Sequence, residues 1–185
     1  MAYLAVKFTL LLAALLPLVA CTSADISHHA GRKPALQLEQ FFDGSLTAHG
    51  VVKNWRGEVI RTFNADIKAY WKDGVGTLEE DFVFDDGEEQ RRVWTLTPDG
   101  QDASGNQRYI GTAGDVVGDS EARVAGNALF MEYVLRIPYN DSTLDLTIDD
   151  RMYLVSPTVI VNESTMKKFG LTVGRILLVI ERRPQ

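Results

Sequence analysis

The stretch "LEEDFVFDDGEEQRRVWTLT", residues 78–97, decides how this chain folds. Each half alternates residue by residue, and the halves meet at Asp85-Asp86-Gly87-Glu88, a composition that favours a tight turn. A two-residue period is that of a strand, whose successive side chains point to opposite faces. Leu78, Glu80, Phe82 and Phe84 therefore share one face, and Glu79, Asp81 and Val83 the other. On the return strand Gln90, Arg92, Trp94 and Leu96 fall together. The hairpin has one aromatic-rich face, and that face also carries Glu80 and Arg92.

Outward from this hairpin the same grammar repeats. From Leu36 onward the chain is a series of short runs rich in Val, Ile, Thr, Phe, Tyr and Trp, separated by Gly, Asn and Asp clusters. Strands are expected near residues 45–54, 58–71, 76–84, 89–97, 107–114, 121–126, 128–138, 143–155, 158–163 and 171–182. A helical period is confined to two short segments, 36–42 and 163–168. Nine or ten strands joined by tight turns, with no helical crossovers, predict an all-β protein. The expected form is an antiparallel up-and-down meander closing into a barrel of about 8–10 strands, since closure removes exposed edges. A β-sandwich is the alternative.

In such a barrel the aromatic face of the 78–97 hairpin points inward. Glu80, Phe82, Phe84, Arg92 and Trp94, with Tyr133 and Tyr153, then form a candidate ligand site in which an opposite-charge pair sits beside aromatic rings. The competing reading leaves Glu80 and Arg92 as a cross-strand pair at a rim or on the solvated surface.

The amino-terminal region has a different character. Residues 4–20 carry one charge, Lys7, and the apolar run from Leu10 to Ala20 has the length of a secretory signal core. It is too short for a spanning helix and is interrupted by Pro17. Leu18-Val19-Ala20-Cys21 resembles the bacterial lipobox. That resemblance implies cleavage before Cys21, lipid on its thiol and its new amine, and a membrane partner reached through this anchor. Thr22-Ser23 lacks the Asp that marks inner-membrane retention in the same sorting scheme, so the expected location is the outer membrane, facing the periplasm. The chain thus divides into a signal segment, 1–20, a lipidated cysteine with a flexible tether, 21–35, and a single barrel domain, 36–185. The tether would span at most about 45 to 50 Å.

Composition narrows the function classes. The 185 residues carry a formal net charge of −6, which loss of residues 1–20 would make more negative by removing Lys7, so nucleic acid is an unfavoured partner. Cys21 is the single cysteine, so packing and backbone hydrogen bonds must hold the domain. No catalytic residue, metal or cofactor is assigned. His49 is the one histidine of the barrel region, and no G-x-S-x-G elbow or Gly-rich phosphate loop is present. His28 and His29 with Asp25, and Asp99, Asp102 and Asn106, read as a solvated tether and a polar hairpin rather than metal sites. An acid/base couple drawn from Glu80, Asp81, Asp149 and Asp150 is the enzymatic alternative, although adjacent carboxylates on a strand face opposite ways.

The phrases "LEQFFDGSLTAHG", "EEDFVFDDGEEQRRVWTLT", "GTAGDVVG", "AGNALFMEYVLRIP", "DDRMYL" and "MKKFGLTVGRILLVIE" occur in an order and spacing that resemble a family of uncharacterised proteobacterial lipoproteins, classed as a domain of unknown function. The resemblance covers roughly residues 36 to 183. It implies a lipocalin-like, calycin-type barrel and gene neighbours concerned with fatty-acid modification and membrane stress, and it brings no catalytic residues with it. The expected function is therefore a membrane-tethered, non-enzymatic barrel binding a small hydrophobic or amphipathic ligand, such as a fatty acid or lipid-derived molecule. A packed barrel acting as an envelope interaction protein is a further alternative.

Overall fold

A computed structural model describes residues 24–183 of the chain, so the signal segment and Cys21 lie outside the described residues. Ten strands follow one another: β1 (Gly44–Asn54), β2 (Val59–Lys72), β3 (Val75–Phe84), β4 (Glu89–Gln101), β5 (Gln107–Thr112), β6 (Ser120–Ala125), β7 (Ala128–Tyr139), β8 (Ser142–Ser156), β9 (Val159–Lys168) and β10 (Leu171–Arg182). Each pairs antiparallel with its sequence neighbours, and β1 pairs with β10, from Leu46 opposite Arg182 to Asn54 opposite Gly174. The meander is thus a closed barrel, not a sandwich. The quoted hairpin has the register its alternation predicts, with Glu80 opposite Arg92 and Leu78 opposite Trp94.

Two local expectations are corrected. Residues 163–168, read as a short helix, continue β9, because Ile160, Asn162, Ser164 and Met166 alternate inward against β8 and β10. The region read as a flexible tether, residues 21–35, is docked over its described part, residues 24–35. A 3-10 helix, Ile26–His29, lies on β6 and β7 with Ile26 buried against Ala125, Ala128 and Phe130. One buried isoleucine removes enough apolar surface to contribute about 1.5–3 kcal/mol, which offsets the cost of ordering a few residues.

The barrel is a cup. Its floor is the helix α1 (Leu38–Phe41) with its flanks, which set Leu36, Leu38, Phe41 and Phe42 into the core. Two hydrogen bonds pin this floor to the wall: Trp71 Nε1 donates to the Phe42 carbonyl at 2.9 Å, and Tyr109 Oη donates to Glu39 Oε1 at 2.8 Å. The opposite end is the mouth, bounded by the turns β1–β2, β3–β4, β7–β8 and β9–β10 and by the longer loop 113–119.

One part of the wall is not a hydrogen-bonded ladder. β4 pairs with β5 only from Thr95 onward, so among the described residues Glu89–Trp94 pair on the β3 side alone. Loop 113–119 leans instead on β7, where Val117 N donates to the Val134 carbonyl and Arg136 N to the Asp115 carbonyl. The resulting seam is closed by a side-chain pair, Arg92 with Asp115.

Gly126, in the turn between β6 and β7, has a φ of 53°, and a Cβ there would lie 1.8 Å from the His29 carbonyl oxygen. Its own carbonyl accepts from Leu36 N at 2.8 Å. Gly126→Ala is therefore expected to detach residues 26–36, costing roughly 1–3 kcal/mol by strain and lost packing. A drop in Tm with faster tryptic cleavage after Arg32 is the expected readout; unchanged cleavage would contradict the docking.

Candidate functional site

The cup encloses a cavity of about 710 Å³, within the range of pockets that hold small ligands. Its wall is mostly apolar: Ile67, Leu78, Phe82, Trp94, Leu129 and Met131 are among the lining side chains, with Phe42 rising from the floor. The cavity corrects the alternative of a barrel filled by its own side chains.

Strand alternation places all but one of the expected site residues on the inner face. Glu80, Phe82 and Phe84 from β3, Arg92 and Trp94 from β4 and Tyr133 from β7 all line the cavity. The aromatic members are in contact: Trp94 meets Tyr133 edge-on at 5.2 Å between centroids, and Phe63 meets both Phe82 and Phe84 at 5.7 Å. Tyr153 is the exception to the grouping. It is out of phase with the inward residues of β8, Asp150 and Met152, and packs on the outer wall with Phe130 and His29.

The four carboxylates weighed as an acid/base couple are split by the wall. Glu80 and Asp150 face inward. Asp81 is outside, held by Arg91 at 2.7 Å, and Asp149 is outside with Arg151 at 2.9 Å and Lys167 at 3.2 Å. The other polar candidates serve local structure. His49 Nδ1 is 2.6 Å from Asn64 Oδ1 on the exposed face, and His29 Nδ1 is 3.2 Å from Asn127 Oδ1. Asp102 accepts from the backbone of Ser104 and Asn106, closing its own turn, and Asp99 pairs with Arg108. Among the described residues no group of three or more His, Cys, Asp or Glu side chains is placed to hold a metal ion.

Inside the cup the polar groups form one cluster. Arg92 donates through Nε and Nη2 to both Asp115 oxygens, at 2.7–3.1 Å. Asp150 Oδ1 accepts from Asn162 Nδ2 at 2.5 Å and from Ser164 Oγ at 2.7 Å. Asp115, Asn162 and Ser164 were not among the sequence candidates. Ser164 sits in the segment read as helical, Asn162 in the expected strand 158–163 where a polar residue on a strand marks no site, and Asp115 in a loop whose path cannot be read from a strand period.

Glu80 is different. It has no hydrogen-bond partner in the cluster, and burial raises its pKa to about 7 against the pull of Arg92, with Asp150 and Asp115 adding to the rise. The side chain is nevertheless only half-buried, because part of it faces the cavity rather than packed atoms. Burial also raises the Asp150 carboxyl, opposed by its two hydrogen bonds, and raises the neighbouring Tyr133 phenol.

A ten-strand, one-mouthed antiparallel barrel around an apolar cavity with a buried charged cluster is the class of protein these features define. The chain belongs to the family described as "Protein of unknown function (DUF3833)", which matches residues 15–182. Among solved structures, it is similar to the S-type phycobiliprotein lyase CPES from Guillardia theta, at 13% identity and a TM-score of 0.49, over 81% of this chain and 95% of that one. It is also similar to EF1p2_mFAP2b bound to DFHBI, at 12% identity and a TM-score of 0.42, over 78% of this chain and 95% of that one. No curated protein matches it.

Because the folded pKa of Glu80 lies above the ordinary glutamate value of 4.5, the folded state holds a proton there that the unfolded chain releases. Stability from this group is full below the unfolded value and falls as pH rises to about 7, by about 3 kcal/mol at most. Glu80→Gln is expected to flatten the decline in Tm between pH 5 and 8 and to be the more stable form at pH 8. An unchanged slope would place the ionised carboxylate in water.

Proposed function

We propose that this protein binds one small amphipathic molecule inside the cup, its apolar body against the aromatic and aliphatic wall and its polar end at the Glu80–Arg92–Asp115–Asp150 cluster. The observation that carries this reading is the cavity itself, about 710 Å³, closed by α1 at one end, open at the other, with one polar cluster inside its apolar wall and charged side chains at its mouth. Native interiors are close-packed, so a void of this size in a stable fold calls for an occupant. The turns and strand ends at the mouth expose Trp55, Tyr139, Phe169 and Leu171, an apolar collar that a lipid-like molecule would meet first.

Binding is favoured over catalysis by how the charged groups are used. Asp115 is committed to Arg92 and Asp150 to Asn162 and Ser164, which leaves Glu80 as a single free acid with no second group poised to act with it.

The reading includes attachment through lipid on Cys21, with the barrel at the outer membrane on its periplasmic side. Its support is the sequence Leu18-Val19-Ala20-Cys21 followed by Thr22. Two measurements test the two halves. Cys21→Ser is expected to move the protein from the membrane to the soluble fraction and to abolish incorporation of labelled palmitate. Retention of both would refute the anchor. Native mass spectrometry of the protein starting at residue 22, after exposure to a total lipid extract, is expected to show one reproducible adduct, identifiable by solvent extraction. Ile176→Trp, which fills the upper cavity from a lining position, is expected to reduce that adduct about tenfold or more. A clean unliganded mass would refute the binding reading.

A further inference from the structure

A lipid-binding cup is commonly expected to hold a carboxylate head against an arginine. Here the charges are arranged the other way. Four carboxylates line the cavity: Glu88 at the mouth, paired with Arg61, and Glu80, Asp115 and Asp150 deeper, together with Arg92. Arg92 is the cation of the cluster, and it is already taken: it lies opposite Glu80 in the ladder and makes a two-toothed pair with Asp115. The remaining arginines that line the mouth are committed in the same way. Arg61 pairs with Asp86 at 2.7 Å and Glu88 at 2.6 Å, Arg91 with Glu79 at 2.6 Å and Asp81 at 2.7 Å, and Arg136 with Asp145 at 2.8 Å. An anionic head would arrive among like charges, and among the described residues each guanidinium that lines the cavity already pairs with a carboxylate, Arg61 keeping only its Nε without a partner; burial of like charges is costly.

Resting on the binding proposal above, we propose that the cavity is built for a cationic amphiphile, an ammonium group on an apolar body, whose nitrogen seats at the Glu80 carboxylate with Asp150 behind it. The geometry supplies the three things such a head requires. Glu80 offers acceptor oxygens that no neighbour among the described residues uses. Asp150 adds negative charge from the facing strand β8 while Asn162 and Ser164 on β9 hold it in place. The rings of Phe82, Trp94 and Tyr133 line the same chamber and present π faces or edges to a cation and its first methylenes. An ammonium donates hydrogen bonds and accepts none, which matches an acceptor-rich pocket.

This arrangement couples binding to a proton. Glu80 is near half-protonated at neutral pH, through burial and the presence of Asp150 and Asp115 against Arg92. The groups that face it are those carboxylates, the arginine and the Tyr133 hydroxyl, so an arriving ammonium ionises Glu80 and releases a proton. Amine binding must then strengthen as pH rises through 7, while an alcohol of the same chain length, which needs no ionised partner, changes little.

The test compares dodecylamine, dodecanol and dodecanoate, each below its micellar concentration, on the intact barrel by isothermal titration calorimetry at pH 6 and pH 8. Dodecylamine is expected to bind about tenfold or more tighter than dodecanoate at pH 8, to gain affinity between pH 6 and 8, and to release protons, seen as a dependence of heat on buffer ionisation enthalpy. Glu80→Gln is expected to lose about tenfold or more in dodecylamine affinity and its pH dependence, with dodecanol affinity kept within about threefold. If Glu80→Gln does not fold, the three wild-type affinities decide the matter alone. Dodecanoate binding tighter than dodecylamine would leave the cup as a ligand site and overturn the cationic assignment. Binding of none of the three would overturn the ligand site and the assignment together.

Discussion

The pairing of β1 with β10 is the contact on which the rest depends. Without it the meander would be an open sheet with two raw edges and two faces, and the choice of which face to bury would be made strand by strand. Once the ring closes, there is a single inside, and strict alternation sends every second residue there whatever its chemistry. Leu46, Ala48, Ile67, Leu78 and Ile180 go in, and so do Glu80, Arg92 and Asp150. The charged residues are held in by register, and the cost is met by mutual pairing and by the Asn162 and Ser164 donors.

The same alternation explains why neighbouring acids have unlike properties. Glu79, Glu80 and Asp81 are consecutive, yet the outer two share Arg91 on the solvated face while the middle one meets the cavity and carries a raised pKa. Their residue types differ by a methylene at most. Their surroundings differ by the thickness of one strand, and those surroundings decide which carboxyl has chemistry at neutral pH.

Much of this was legible in the sequence because a two-residue period is a local property. It fixed the ten strands to within a few residues, save where β9 runs on to Lys168, and it assigned Glu80, Phe82, Phe84, Arg92 and Trp94 to one face from a single hairpin. Tyr153 shows the limit: its neighbours Asp150 and Met152 hold the inward phase on β8, so an aromatic one step away belongs to the outer wall. Asp115 shows another. It reaches Arg92 across a seam that exists because loop 113–119 leans on β7, a tertiary event that leaves no periodic trace. The inward Ser164, following Asn162, broke the apolar rhythm of β9 and so hid its second half, residues 164–168.

The described chain begins and ends at the floor side of the cup. The 3-10 helix Ile26–His29 rests against the turn at Gly126, and Arg183 N donates to the Ser45 carbonyl where β1 starts. The mouth is made wholly of internal turns. A handle attached at Ala24 or Arg183, the two ends of the described part, whether a fusion partner, a bead or a surface, therefore grips the barrel by its base and leaves the opening turned away. Force applied between Ala24 and Arg183 would load the floor and the β1–β10 staves before it reached the rim.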